Sequence, residues 1–184
     1  LEVFDLASRS DAHPDHLSQG QRSRLSVARA LISDARVLVL DEPLAHVDPA
    51  RIPQFWQAIR DHLRNSGATL VFATHSPQTV LAEAQNVVCL GAGHVLYHGD
   101  VETLYWRPEK YELATCLGEV NWLPPKDAAI WLMSGTHKGV CYRPEQISIK
   151  PSENSPIIVQ SSLFRGSVAE AQVTHEQLDL ARRF

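Results

Sequence analysis

An α/β fold followed by a small β-rich domain is what the sequence predicts, and three observations carry it. Two apolar runs of strand length, at residues 37–40 and 69–73, alternate with segments of helical period. The runs are unbroken by polar residues, as in strands of a mostly parallel sheet. After about Gly118 the texture changes to short β-like runs separated by Pro, Gly and Ser.

The chain opens with a short amphipathic stretch and a polar turn, SRSDAHPDH, ending at residue 16. A helix begins near residues 19–21 and runs to about Ile32, with Leu25, Ala28, Leu31 and Ile32 as its apolar face. Residues 37–40 form a strand covered on both faces. The next helix carries Ile52, Phe55, Trp56, Ile59 and Leu63 at helical spacing and ends before Gly67. Pro53 falls in its first turn, where proline is tolerated. Residues 69–73 give a second buried strand. A helix near 77–84 and strands at 87–90 and 94–97 follow. In the tail, residues 140–142, 147–149 and 157–159 read as strands, and residues 168–184 show no obvious closing strand.

The 184 residues allow one medium domain and one small one, and 44% apolar residues suit a globular core. The net charge, 17 − 21 = −4, argues against a broad surface for nucleic acid or anionic membrane. Cys89, Cys116 and Cys141 are widely spaced and form no C-x-x-C, so they read as free, mostly buried thiols in a reducing compartment. No signal peptide is visible, and no apolar run approaches the roughly 20 residues needed to span a bilayer. The expectation is a cytoplasmic protein whose membrane role, if any, passes through a partner.

Four motifs stand in order between Leu17 and His75. VLVLDEP at residues 37–43 delivers Asp41 and Glu42 to the carboxyl end of a strand, where open α/β sheets bind ligands. There Asp41 can hold Mg²⁺, usually through water, and Glu42 can polarise a water for attack on phosphate. LSQGQ at 17–21 places Ser18 and Gly20 at a helix start, with N–H groups directed outward as in an anion site. A plain serine N-cap explains Ser18 equally well, but it does not explain a glycine in the first turn, which costs about 1 kcal/mol against alanine. Arg22, Arg24 and Arg29 read as solvated or paired rather than as phosphate ligands. Asp48 follows in a loop. His75 comes after the second strand, where a neutral imidazole can meet a phosphate oxygen or orient water. No histidine pair has convincing metal spacing. The phosphate-binding motif G-x-x-x-x-G-K-[ST] is absent, because none of the four lysines follows a glycine.

The run HLSQGQRSRLSVARALISDARVLVLDEPLAHVDP resembles the signature-to-Walker-B segment of ABC transporter ATPase subunits. VFATHSP resembles that family's H-loop. The resemblance spans residues 1–118 and implies part of a P-loop NTPase sheet with helices, lacking its Walker A half. It implies that Ser18, Gln19, Gly20 and Gln21 contact ATP in trans, on the partner's P-loop. It further implies Asp41 as the Mg²⁺-side aspartate, Glu42 as the catalytic glutamate, Asp48 as the D-loop residue and His75 as the γ-phosphate switch. Gln19 replaces the usual glycine, and His46 is an unusual, bulkier D-loop residue. CYRPEQISI at 141–149 and LGEVNWLP at 117–124 resemble the TOBE domain (OB-like) of importer ATPases and its linker, assigning residues 119–184 to a TOBE-like β-domain shorter than usual.

The implied function is the ATP-hydrolysing subunit of an importer for an ion or small solute, with ATP and Mg²⁺ as cofactors. Its partners are a second ATPase subunit, a membrane permease and, indirectly, a solute-binding protein, with no nucleic acid. The chain would sit on the cytoplasmic face of the membrane through the permease and be inactive alone. The alternative is a non-catalytic regulatory or binding module derived from such a subunit. An ABC ATPase of DNA repair or translation fits the tail and the acidic charge poorly.

Overall fold

The computed structural model describes residues 2–131, 139–166, 168–176 and 180–183, apart from the side chains of 130 and 180–183. Two compact units divide the chain, Leu1–Thr79 and Val80–Phe184. Elements of α and β type occur in both.

The first unit contains α1 (Gln19–Leu31), β1 (Val37–Asp41), α2 (Ile52–Ser66) and β2 (Thr69–Ala73). The strands pair in parallel, with Leu38 opposite Leu70, Leu40 opposite Phe72 and Asp41 opposite Ala73. Leu40, Leu70 and Phe72 pack in one core with Val27 and Ala28 of α1 and Phe55, Trp56 and Ile59 of α2. Phe55 and Ile59 are completely buried, each worth about 1.5–3 kcal/mol of hydrophobic stabilisation. As the sequence predicts, α2 ends at Gly67, whose φ of 67° lets its N–H return to the Leu63 carbonyl. Phe4 stacks on Phe55 at 5.5 Å between ring centroids, tying the chain's start to this core.

Three expectations are corrected in this unit. Of the predicted apolar face of α1, Ala28 is buried and Leu25 and Leu31 are part-buried against the same core, but Ile32 is exposed, and Arg24 and Val27 are buried as well. Arg24 turns inward because it can discharge its donors there. Its Nη1 donates to the Phe4 carbonyl at 2.7 Å and to Asp5, and its Nε donates to the Gly20 carbonyl at 3.3 Å. The strands are covered on one face only, with Val37, Val39 and Val71 exposed, because both helices of the cluster lie against the inner side chains. The parallel sheet is also limited to this pair. Every other strand pairing among the described residues is antiparallel.

α3 (Pro77–Glu83) follows β2 in the chain. In the second unit β3 (Asn86–Gly91) and β4 (His94–Asp100) form a hairpin. Asp100 then caps α4 (Val101–Trp106) by accepting from the Thr103 N–H at 2.7 Å. α4 and α5 (Tyr111–Cys116) pack Leu104, Leu113 and Leu117 around Val101 and Cys89. Burial, and next the neighbouring Cys116 thiol, push the Cys89 thiol up to about 11. Cys116 itself is exposed, contrary to the expectation for the cysteines as a group. β5 (Asn121–Leu123) pairs with β6 (Val140–Tyr142), and α6 (Pro125–Trp131) lies between them in sequence.

Arg143 fixes this region. It is completely buried, with Nε donating to the Tyr105 carbonyl at 3.1 Å and Nη1 to the Glu119 carbonyl at 2.9 Å and the Gly118 carbonyl at 3.3 Å. Its guanidinium lies 4.1 Å from the Tyr105 ring centroid, an arrangement that favours a desolvated cation. Tyr105 in turn donates to Glu145 at 2.6 Å. Burial, followed by the Glu145 carboxylate, pushes the Tyr105 phenol up to about 12.

The tail forms a meander of β7 (Ile157–Phe164), β8 (Ala169–His175) and β9 (Leu180–Arg183). A closing strand therefore exists within residues 168–184. Residues 147–149 are not a strand. A 3-10 turn at Pro144–Gln146 closes with the Ile147 N–H on the Pro144 carbonyl, so the Ile147 amide has no ladder partner.

Candidate functional site

Parallel, in-register strands bring their carboxyl ends to one edge, and the residues that follow each strand meet there. The Glu42 N–H donates to the Ala73 carbonyl at 2.9 Å, carrying the pairing one residue past the strand end. Glu42 then takes a φ of 43°, turning the chain sharply into the following loop.

Its carboxylate lies against the segment after β2. Oε1 accepts the His75 N–H at 2.9 Å and lies 2.7 Å from His75 Nδ1. Oε2 accepts the Thr74 hydroxyl at 3.1 Å. Burial opposes ionisation of Glu42, but the His75 ring, the His75 N–H and the Thr74 hydroxyl outweigh it and hold the carboxyl below its ordinary value. The Glu42 side chain is 37% exposed and that of His75 is 89% exposed, so water reaches the pair. Asp41 is exposed beside them and makes no side-chain hydrogen bond or ion pair among the described residues. The cluster thus offers an aimed carboxylate, a displaceable imidazole and a free acid on one strand edge.

The LSQGQ residues resolve differently. Ser18 Oγ accepts the Gln21 N–H at 3.2 Å, and Gln21 Oε1 accepts the Ser18 N–H at 2.8 Å. This is a reciprocal capping box, so each side chain is engaged with the other residue's backbone N–H. Gln19 is exposed. Gly20 has an internal cause: a Cβ there would lie 2.5 Å from the His46 carbonyl oxygen. The close approach that the glycine permits is therefore by the loop after β1. Asp48 is exposed and accepts the Ala50 N–H at 3.0 Å, capping the turn Pro49–Arg51. The structure joins Glu42 with His75, and Gly20 with His46. No hydrogen bond joins residues 18–21 to Glu42 or His75 among the described residues.

Sequence reasoning missed Thr74 and the buried role of Arg24. Thr74 had a local signal, a hydroxyl beside the histidine at a strand end. Arg24 had none, because its main acceptors lie twenty residues earlier in the chain.

The family described as "AAA domain, putative AbiEii toxin, Type IV TA system" matches residues 9–82, a span that holds every sequence-predicted site residue. The chain is 31% identical to the sulfate/thiosulfate import ATP-binding protein CysA of Gloeobacter violaceus, over 96% of this chain and 52% of that protein. It is 31% identical to the Fe(3+) ions import ATP-binding protein FbpC of Haemophilus influenzae, over 93% of this chain and 53% of that one. It is 29% identical to the spermidine/putrescine import ATP-binding protein PotA of Bacillus thuringiensis, over 89% and 46%. An ATP-binding cassette of an ABC transporter, solved in its ADP conformation, superposes with a TM-score of 0.49 at 24% identity, over 61% of this chain and 46% of that one. The chain spans about half the length of the curated relatives it matches. Those relatives are ATP-binding import proteins, and this chain is similar to them over nearly all of its own length.

Proposed function

We propose that this chain contributes the hydrolytic edge and the signature helix of an ABC importer's ATPase subunit. The observation that carries the reading is the Glu42 carboxylate held by His75 and Thr74 at the carboxyl ends of two parallel strands. Glu42 acts as the general base that aligns the attacking water. His75, exposed and held through one ring nitrogen, turns to the γ-phosphate when nucleotide arrives. The free, exposed Asp41 suits a water-mediated hold on Mg²⁺, which when bound neutralises charge on the phosphates.

The phosphate-binding loop comes from outside these residues. Within the assembled site, the N-terminus of α1 (Ser18, Gln19, Gly20 and Gln21) meets the ATP bound to a paired subunit, and Asp48 lies at the interface between the two. Ser18 and Gln21 cap the helix, so the N–H groups of Gln19 and Gly20 and the helix dipole supply the attraction for phosphate. Residues 119–184 form the TOBE-like appendage. The subunit works at the cytoplasmic face of the membrane, bound to a permease that a solute-binding protein serves. Among the described residues no helix is long and apolar enough to cross a membrane.

The test is Mg-ATP turnover by the whole subunit. Glu42→Gln is expected to keep ATP binding and to lower turnover by about 100-fold or more. Turnover close to wild type overturns the assignment. Calorimetry with Mg-ATP on the present chain alone is expected to show no tight binding.

A further inference from the structure

Glu42 is held by two kinds of donor, and they differ in how firmly they are themselves fixed. The His75 ring is 89% exposed, and its one hydrogen bond among the described residues is to Glu42 Oε1. No other hydrogen bond among the described residues restrains it from turning away. Thr74 is half-buried, and its hydroxyl is constrained from a second side. Thr74 Oγ1 accepts the Ser76 N–H at 3.2 Å, which directs its own hydrogen toward Glu42 Oε2 at 3.1 Å. Ser76 is fixed in turn, its Oγ accepting the Thr79 N–H at 3.2 Å and the Thr79 hydroxyl at 3.0 Å. The chain of donors runs from the start of α3 through Ser76 and Thr74 to one oxygen of the carboxylate.

We propose that Thr74 is a positioning residue for Glu42, holding Oε2 so that the carboxylate stays aimed when His75 turns away. This rests on the hydrolytic reading of Glu42. In the present arrangement the carboxylate receives the Thr74 hydroxyl, the His75 N–H and the His75 ring, which leaves little lone-pair capacity for a water. Departure of the ring frees Oε1 toward solvent. Rotation of the freed carboxyl is then opposed by the Thr74 hydroxyl on the other oxygen and by the His75 N–H. Valine at 74 keeps the β-branched shape suited to the end of a strand but removes the hydroxyl. Serine keeps the hydroxyl and removes only a methyl group.

Steady-state hydrolysis by the whole subunit, with Thr74→Val and Thr74→Ser beside wild type, tests this. Thr74→Val is expected to lower kcat about tenfold at unchanged KM for ATP, and Thr74→Ser to stay within about twofold of wild type. Amide hydrogen exchange on the present chain gives a second measurement. The His75 N–H is expected to lose protection in Thr74→Val and to regain it in Thr74→Ser, because its acceptor is the carboxylate that Thr74 steadies. Wild-type kcat in Thr74→Val overturns the positioning role, as does Thr74→Ser failing as badly as Thr74→Val. A wild-type subunit that does not hydrolyse ATP overturns the hydrolytic reading itself, and the exchange result then stands or falls separately for the hold on Glu42.

Discussion

Glu42 and Arg143 are both charged side chains held by several hydrogen bonds, yet they are held for opposite ends. Arg143 is fully buried, and backbone carbonyls of Tyr105, Gly118 and Glu119 are its acceptors. None of those partners can leave without the chain moving. Its Nη2 has no acceptor among the described residues, a cost accepted for a fixed joint. Glu42 is partly exposed, and one of its partners is an almost fully exposed imidazole. A buried charge with immovable partners organises structure, whereas a half-exposed charge with a displaceable partner can change state.

The comparison can be broken by matched substitutions. Arg143→Met leaves three part-buried carbonyls without their donor and is expected to cost about 2–3 kcal/mol in thermal or denaturant unfolding. Glu42→Gln in the same assay is expected to cost under about 1 kcal/mol, since water already screens the pair. Equal costs would erase the distinction.

Gly20→Ala comes next. Its methyl group would meet the His46 carbonyl, and the loop must shift at about 1–3 kcal/mol, read as a lower unfolding midpoint. Asp48→Ala removes an N-cap and is expected to cost about 1 kcal/mol.

The smallest effect is a pH effect at Asp5. Hydrogen bonds from Arg51, and next from Arg24, lower its carboxyl below the ordinary 3.8. A depressed carboxyl stabilises the fold above its unfolded value and loses that contribution as pH falls through the folded one. Wild type should therefore lose slightly more stability than Asp5→Asn between about pH 4 and the acid limit, measured by urea unfolding.

Much of this was legible where local rules decide. The N-terminus of α1 and the glycine end of α2 follow from residues within one turn of each other. The same holds for the placing of Asp41 at the end of β1 and of Glu42 and His75 beyond strand ends. Legibility failed where the deciding partner was distant. Arg24 reads as solvated or paired, and its pairing with Asp5 and its burial against the Phe4 carbonyl become visible only once those residues are beside it, which widens the buried face of α1. Gly20 reads as an opening for an outside ligand until the His46 carbonyl occupies that space. An unbroken apolar run such as that of β1 specifies a strand but does not say whether one face or two will be covered. Asp100 ahead of α4 was a readable cap that the apolar pattern alone did not reveal.

The loop after β1 carries a consequence for engineering. Glu42, Leu44 and His46 all have positive φ, from 43° to 65°, and none is glycine. A left-handed conformation costs an ordinary residue about 1 kcal/mol or more, and Asn or Gly bears it more easily. His46 is exposed, so His46→Asn is a simple route to a sturdier chain. Leu44 bears the same conformation with a branched side chain that is almost fully buried, so its substitution would trade strain against packing.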